Sequence, residues 1–194
     1  GYGLVVVSGR NHGGRDADTS SSLPRFAEDL ECAFDWLRAR PEVDAQRVGL
    51  LCHSVGAGAA LLVAARRREV MAVVSLAAFA HPAGMMRRWL RWKRIPYRPF
   101  GWYVLNYVQH VIGHRFDDIA PRRTIADVAC PVLLVHGAED ETVPVAEAHE
   151  ILAAARPGQA RLLLIPGDHE GFGEIAGPLA EVVAFLDQAG ATPR

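Results

Sequence analysis

The stretch that decides the fold is Leu51-Cys52-His53-Ser54-Val55-Gly56-Ala57-Gly58. It overlaps a short apolar run, Arg47 to Cys52, which predicts a buried strand. An Ala- and Gly-rich segment, Val55 to Arg68, follows directly and predicts a helix. Ser54 therefore lies on a sharp turn from strand to helix. Such a turn holds a side chain clear of the sheet, at the positive end of the helix.

Short apolar strands alternate with helices along the rest of the chain. Further strands are predicted at Leu4 to Ser8, Val70 to Ala77, Pro131 to His136 and Arg161 to Ile165. Further helices are predicted at Pro24 to Arg40, about 84–94, about 101–114, Val145 to Ala155 and Glu174 to Gln188. Strands that are apolar along nearly their whole length are typical of a parallel sheet covered on both faces. The pattern predicts an α/β fold, with a mostly parallel sheet flanked by helices. We expect one domain over 1–194 with a short helical cap insertion at about 81–128.

Composition excludes several classes of protein. The 194 residues carry 21 Lys and Arg against 22 Asp and Glu, a net charge of −1, which disfavours a globally basic nucleic-acid binder. Three widely spaced cysteines without a CxxC exclude a disulfide framework and a thiolate zinc cluster, and they favour a reducing, cytoplasmic compartment. No apolar run reaches the roughly 18 residues of a membrane span, so stable membrane insertion is not expected. No metal site is predicted, because the i,i+4 pair His110 and His114 lacks the Glu of H-E-x-x-H.

Ser54 becomes a candidate nucleophile only if a base and an orienting acid accompany it. Asp140 follows the fourth predicted strand and is the candidate acid. His169 follows the fifth and is the candidate base. The backbone N–H of Val55, at the start of the helix, is positioned to face a developing oxyanion.

Three pieces of this sequence resemble the α/β-hydrolase superfamily, in particular its dienelactone hydrolase and prolyl-oligopeptidase members. They are the strand–Ser–helix turn at Cys52–Gly56, the motif HGxxDxxVP at 136–144, and the late His169. The helix ending DWLRARPEVDAQRVGLL before the turn is also similar to these relatives. The resemblance implies a serine hydrolase that cleaves a carboxylic ester or related acyl bond of a small molecule. Such chemistry needs no cofactor, because a preorganised dipole and a base suffice.

The sequence departs from the family at two places. Cys52 replaces the first glycine of G-x-S-x-G, although it is still small. The opening segment GYGLVVVSGRNHGG resembles the family's fourth strand and its loop, which implies that three earlier strands and the second oxyanion donor are absent. The alternative is a compact hydrolase in which His12-Gly13-Gly14 forms the oxyanion loop. A non-catalytic, truncated hydrolase-like domain is the rival function. A sheet edge left open by absent strands would favour a homo-oligomer.

Each candidate residue also has a simpler structural explanation. Ser54 in isolation is an ordinary helix N-cap. Asp140 is a suitable cap for the helix that starts near Val143, and two neighbouring glutamates compete with it as acids. His169 in isolation is an ordinary solvated loop histidine. Cys52 is expected to be a small buried hydrophobe.

The predicted insertion combines positive charge with aromatic residues. No acidic residue lies between Glu69 and Asp117. The close cations are Arg87, Arg88, Arg91, Lys93, Arg94 and Arg98. The favoured interpretation is a solvated helical face that its tryptophans anchor to the core. The alternatives are a lid whose aromatics wall an acyl pocket, which the resemblance supports, and a segment drawn to anionic lipid. His53, Trp89 and Trp92 are the candidate substrate-binding residues.

Overall fold

A four-stranded parallel sheet organises the fold. The computed structural model describes residues 2–7, 22–169, 171 and 176–191. Within them the strands are β1 (Leu50–His53), β2 (Val73–Leu76), β3 (Val132–Gly137) and β4 (Ala160–Ile165), in the spatial order β1-β2-β3-β4. The register places Cys52 opposite Ser75, and Ser75 opposite Leu134. Because all pairs are parallel, the four strands end at the same edge of the sheet. The predicted α/β fold with a parallel sheet is confirmed.

Helices separate the strands at nearly the predicted positions. In the described residues they are α1 (Leu23–Arg38), α2 (Val55–Arg66), α3 (Pro82–Trp92), α4 (Trp102–Ile112), α5 (Phe116–Ile119), α6 (Pro121–Thr124), α7 (Val145–Ala154) and α8 (Ala176–Ala191). The backbone N–H of Arg25 donates to the Ser22 hydroxyl, and Pro24 occupies the first turn of α1, as its fixed φ predicts. An irregular turn, Tyr97–Gly101, joins α3 to α4.

Alternate side chains of the strands fill two cores, one on each face of the sheet. Val73 and Leu134 face the larger core, which α1 and α2 complete. Val74, Leu133 and Val135 face the smaller core, which α8 covers with the side chains of Val182, Phe185 and Ala189. Burial on both faces is the reason the two central strands, β2 and β3, are apolar with little alternation.

Gly58 shows why α2 is built from small residues. A Cβ at this position would lie 2.8 Å from Cδ1 of Leu23 and 3.1 Å from Cγ of Pro121. The helix is therefore packed tightly between α1 and α6, with its residues from Ala57 to Ala64 buried. The helix that follows Ser54 is held rigidly by this packing.

The prediction of a buried strand at Leu4 to Ser8 is wrong for its described part, residues 4–7. These residues form no strand, and the side chains of Leu4 and Val6 are 81% and 82% exposed. An apolar, β-branched run becomes a strand only where a neighbouring strand takes up its hydrogen bonds and other elements bury its faces. Just before this run, the Tyr2 hydroxyl reaches α8 and donates to the carboxylate of Asp187 over 2.6 Å.

The interpretation in which tryptophans anchor the insertion is also wrong. Trp89, Trp92 and Trp102 are 50%, 74% and 59% exposed. Aliphatic side chains anchor this segment instead, with Leu90 and Leu105 buried in the larger core. In the described part of the chain, no helix is long and apolar enough to cross a membrane.

Candidate active site

Ser54 lies between the end of β1 and the start of α2 in a strained backbone conformation. Its φ of 54° and ψ of −119° belong to a region that non-glycine residues rarely occupy. The Ser54 N–H still continues the ladder by donating to the Leu76 carbonyl over 2.8 Å. The Ser54 carbonyl already accepts the N–H of Ala57. Its side chain makes no capping hydrogen bond, so the N-cap explanation does not describe the hydroxyl.

Asp140 and His169 meet this hydroxyl at the shared edge of the sheet. Nε2 of His169 lies 3.0 Å from Oγ of Ser54, and Nδ1 of His169 lies 2.8 Å from Oδ2 of Asp140. The Asp140 carboxylate is fully buried, whereas Glu139 and Glu141 beside it are exposed. The turn after β3 thus separates the three acids by burial. The structure brings together the three side chains that the sequence proposed as a triad.

The Asp140 carboxylate is held from several sides. Its Oδ1 accepts the backbone N–H of Val143 over 2.7 Å, within the turn. The explanation of Asp140 as a helix cap is wrong, because α7 starts at Val145 behind Pro144 and has no side-chain cap. Nε2 of His136 lies 2.7 Å from the Val143 carbonyl and 3.4 Å from Oδ2 of Asp140. A carbonyl only accepts, so Nε2 of His136 carries a proton and donates. His136, which is 1% exposed, therefore braces the turn that carries Asp140.

Sequence reasoning missed the role of His136, although the residue stands in the motif it quoted. The available signal was a histidine at the end of a fully apolar strand. A buried histidine needs hydrogen-bond partners, and the unpaired backbone groups of a neighbouring turn supply them.

Changing His136 to Phe is expected to destabilise the protein by about 1–3 kcal/mol, because the buried Val143 carbonyl loses its donor. His136→Gln keeps an N–H donor at similar reach and is expected to lose less than half as much. Urea unfolding of the two variants measures the difference. Equal stability of the parent and His136→Phe would show that the hydrogen bond contributes nothing.

Because Gly137 has no side chain, the end of β3 can lie directly against the loop after β4, which carries His169. A Cβ there would lie 2.5 Å from the Gly167 carbonyl oxygen and 2.6 Å from that of Asp168. The backbone of β3 thus passes against the loop that carries His169. The Glu139 N–H and the Gly167 carbonyl are 3.0 Å apart and tie the same two loops. Asp168 shapes the loop itself, since its Oδ1 accepts the Gly171 N–H over 2.6 Å.

The other predicted site residues have different surroundings. Val55 is the first residue of α2, and the N–H groups of a first helical turn have no intrahelical acceptor. His53 lies beside the candidate base: its Nε2 is 2.8 Å from the His169 carbonyl oxygen, and the two rings are 5.0 Å apart. The substrate-binding role of Trp89 and Trp92 stays a prediction. His12-Gly13-Gly14, the predicted alternative oxyanion loop, lies outside the described residues.

Cys52 is adjacent to the turn but is a poor nucleophile. It is half-buried, and burial raises the pKa of its thiol to about 11. At neutral pH the thiol therefore stays protonated, and only the thiolate reacts readily. Cys52 therefore does not compete with Ser54 as the nucleophile. Among the described residues, no group of three or more His, Cys, Asp or Glu side chains is placed to hold a metal ion.

The raised pKa predicts how Cys52 responds to pH. Iodoacetamide should modify the exposed Cys32 at pH 7, while Cys52 should become reactive only as pH rises toward 11. Peptide mass spectrometry after timed alkylation measures both rates in one sample. Comparable rates at pH 7 would contradict the burial of this thiol.

The sheet order and the strand–Ser–helix turn place the chain in the α/β-hydrolase superfamily, and solved structures show the same fold. An esterase from Pyrococcus furiosus superposes with a TM-score of 0.72 at 17% identity, over 94% of this chain and 68% of that one. Est1E from Butyrivibrio proteoclasticus, with ferulic acid bound, superposes with a TM-score of 0.69 at 20% identity, over 95% of this chain and 76% of that one. A narrower family within this superfamily also matches the sequence. The chain belongs to the prolyl oligopeptidase family, whose model matches residues 25–187.

Two curated relatives are uncharacterized proteins. One from Mycobacterium tuberculosis is 24% identical over 169 residues, which cover 86% of this chain and 52% of the relative. YfhR from Salmonella typhimurium is 27% identical over 156 residues, covering 79% and 51%. The chain therefore spans about half the length of these curated relatives.

Proposed function

We propose that the chain is a serine hydrolase that cleaves a carboxylic ester or a related acyl bond. One observation carries the proposal: His169 bridges Oγ of Ser54 and Oδ2 of Asp140 at 3.0 and 2.8 Å. Both distances are within hydrogen-bonding range, and the nucleophile, base and orienting acid stand in the order that acyl transfer requires.

The geometry supports a two-step mechanism. Asp140 accepts a hydrogen bond from the Nδ1–H of His169, which leaves Nε2 free to accept the Ser54 hydroxyl proton. Oγ then attacks the acyl carbon, and the oxyanion that forms faces the Val55 N–H. Collapse of the tetrahedral intermediate breaks the bond to the leaving group, which takes the proton from Nε2. In the second step a water molecule, activated by His169 as the Ser54 hydroxyl was, attacks the acyl-enzyme and releases the carboxylic acid product.

The buried carboxylate suits this role. As His169 gains a proton during attack, a positive charge forms 2.8 Å from the Asp140 carboxylate. Burial strengthens that attraction, because the local dielectric is lower than that of water. Val143 keeps the carboxylate oriented, and its N–H contact does not depend on the state of His169.

Esterase neighbours support ester substrates over other acyl compounds. The Pyrococcus furiosus protein is described as an esterase, and Est1E from Butyrivibrio proteoclasticus holds ferulic acid. A small activated ester such as p-nitrophenyl acetate is therefore the first substrate to test.

Changing Ser54 to Ala is expected to reduce ester turnover by roughly a thousandfold or more. Ser75→Ala is the matched control. Ser75 is buried on β2, and its hydroxyl finds no hydrogen-bond partner among the described residues, so its loss should leave turnover unchanged. Release of p-nitrophenol measures both variants. Equal turnover by the parent and Ser54→Ala, or none by the parent, would favour the non-catalytic alternative.

A further inference from the structure

The α3–α4 segment exposes a large aromatic surface that the proposed chemistry does not use. We call it the cap patch. Its six aromatic side chains are 50% to 74% exposed: Trp89, Trp92, Phe100, Trp102, Tyr103 and Tyr107. All six lie between residues 89 and 107. Large exposed apolar patches are rare on monomeric proteins and usually mark a contact with a partner or a membrane.

Cations without acidic partners accompany these rings. Arg87, Arg91, Lys93, Arg94 and Arg98 are exposed. Within the described part of the chain, none of these five forms an ion pair with a carboxylate. Cations elsewhere do form such pairs, for example Arg25 with Glu28, and Arg66 with Glu31. The segment therefore carries concentrated positive charge in a chain of net charge −1.

Arg88 is the exception, and it shows how the segment is fixed to the rest of the fold. Its guanidinium donates to the largely buried carboxylate of Glu147 on α7. The other oxygen of Glu147 accepts the N–H of Ala80 over 2.7 Å, just before α3. The start of the α3–α4 segment is thus tied to α7, while its exposed aromatic side chains are left for another contact.

We propose that the cap patch docks on the surface of an anionic lipid bilayer. Tryptophan and tyrosine rings favour the headgroup region, where an apolar body and a polar tip are both satisfied. Arginine and lysine beside them neutralise lipid phosphates. Rings and cations are already paired in the segment: Nζ of Lys93 lies 4.2 Å from the Trp92 ring, and the Arg87 guanidinium lies 5.1 Å from the Tyr97 ring.

Charge disfavours a second copy of the chain as the occupant. A two-fold interface places the same patch opposite itself, so cations would face cations. An anionic surface meets the same charges favourably. The cap patch includes none of Ser54, Asp140 and His169, so the proposed docking and the proposed triad can fail separately.

Vesicle sedimentation tests the charge requirement. The parent should bind vesicles of phosphatidylcholine and phosphatidylglycerol, and should bind phosphatidylcholine alone far more weakly. We call the protein with Arg91, Lys93, Arg94 and Arg98 changed to Gln the cap-charge variant. Its binding should be weaker by about fivefold for each removed cation. The matched control changes four exposed arginines outside the segment to Gln: Arg25, Arg40, Arg66 and Arg161. It alters the net charge equally and should bind like the parent.

Tryptophan fluorescence tests the aromatic contact separately. In a Trp36→Phe background all three remaining tryptophans belong to the cap patch. Their emission should shift to shorter wavelength on anionic vesicles and stay unchanged on zwitterionic ones. Replacing Phe100 and Tyr103 with Ser should weaken vesicle binding, and the exposure of both side chains keeps this variant folded.

Several results would overturn the proposal. They are failure of the parent to bind anionic vesicles, equal binding by the cap-charge variant, and equal weakening by the matched control. Self-association in sedimentation velocity that the cap-charge variant abolishes would replace the lipid with a second copy. Equally strong binding of a duplex oligonucleotide would indicate a general polyanion surface instead of a lipid one.

Discussion

Replacing Asp140 with Asn is expected to lower ester turnover by roughly four orders of magnitude. The amide fills the same space, and its oxygen can still accept the Val143 N–H. Its NH₂ group would then face Nδ1 of His169, now 2.8 Å from Oδ2. A donor there forces the His169 proton onto Nε2, where it blocks acceptance of the Ser54 proton.

Glu141→Gln is the matched control for this variant. It removes one negative charge from the same turn, but Glu141 is exposed and Asp140 is buried. Circular dichroism should show both variants folded. Turnover lost equally in both variants would indicate a general charge effect, and turnover retained by Asp140→Asn would remove Asp140 from the mechanism.

Replacing Gly137 with Ala is expected to reduce turnover by roughly a hundredfold, because about 1 Å of displacement in an active site costs that much. The new Cβ would lie 2.5 Å and 2.6 Å from two carbonyl oxygens of the His169 loop. Backbone atoms cannot rotate away as a side chain does, so β3 and this loop must separate. Overpacking of this kind also costs about 1–3 kcal/mol of stability.

Gly177→Ala provides the comparison for a glycine with free space. A Cβ at Gly177, in α8, has no heavy atom within 4 Å, so Ala should leave turnover unchanged. Thermal unfolding and turnover are measured on both variants. A Gly137→Ala protein with the turnover and stability of the parent would show that the loops do not need this close approach.

The convergence of Ser54, Asp140 and His169 was predictable from the sequence. Each residue follows an apolar run, and parallel strands end at the same edge of a sheet. Spacing along the chain therefore translates into proximity in space once the sheet is inferred. The strained φ of Ser54 was implied in the same way by a strand that runs directly into a helix.

The supporting contacts were not predictable, because they depend on how two loops pack. His136 bonds to the Val143 carbonyl, and Gly137 meets the loop after β4; neither contact has a signature in the spacing. The run at residues 4–7 has the composition of a buried strand, but composition does not supply a pairing partner. Apolar periodicity also failed to decide which side chains of α3 face inward, where Leu90 is buried and Trp92 is exposed.

The most direct test of the proposed triad is covalent capture of the Ser54 hydroxyl. A fluorophosphonate probe reacts with serine only where a base and an oxyanion site activate it. We expect one adduct, which peptide mass spectrometry places on Ser54 and which is absent from Ser54→Ala and His169→Ala. Labelling of all three proteins, or of none, would contradict the proposal that these side chains form a working triad.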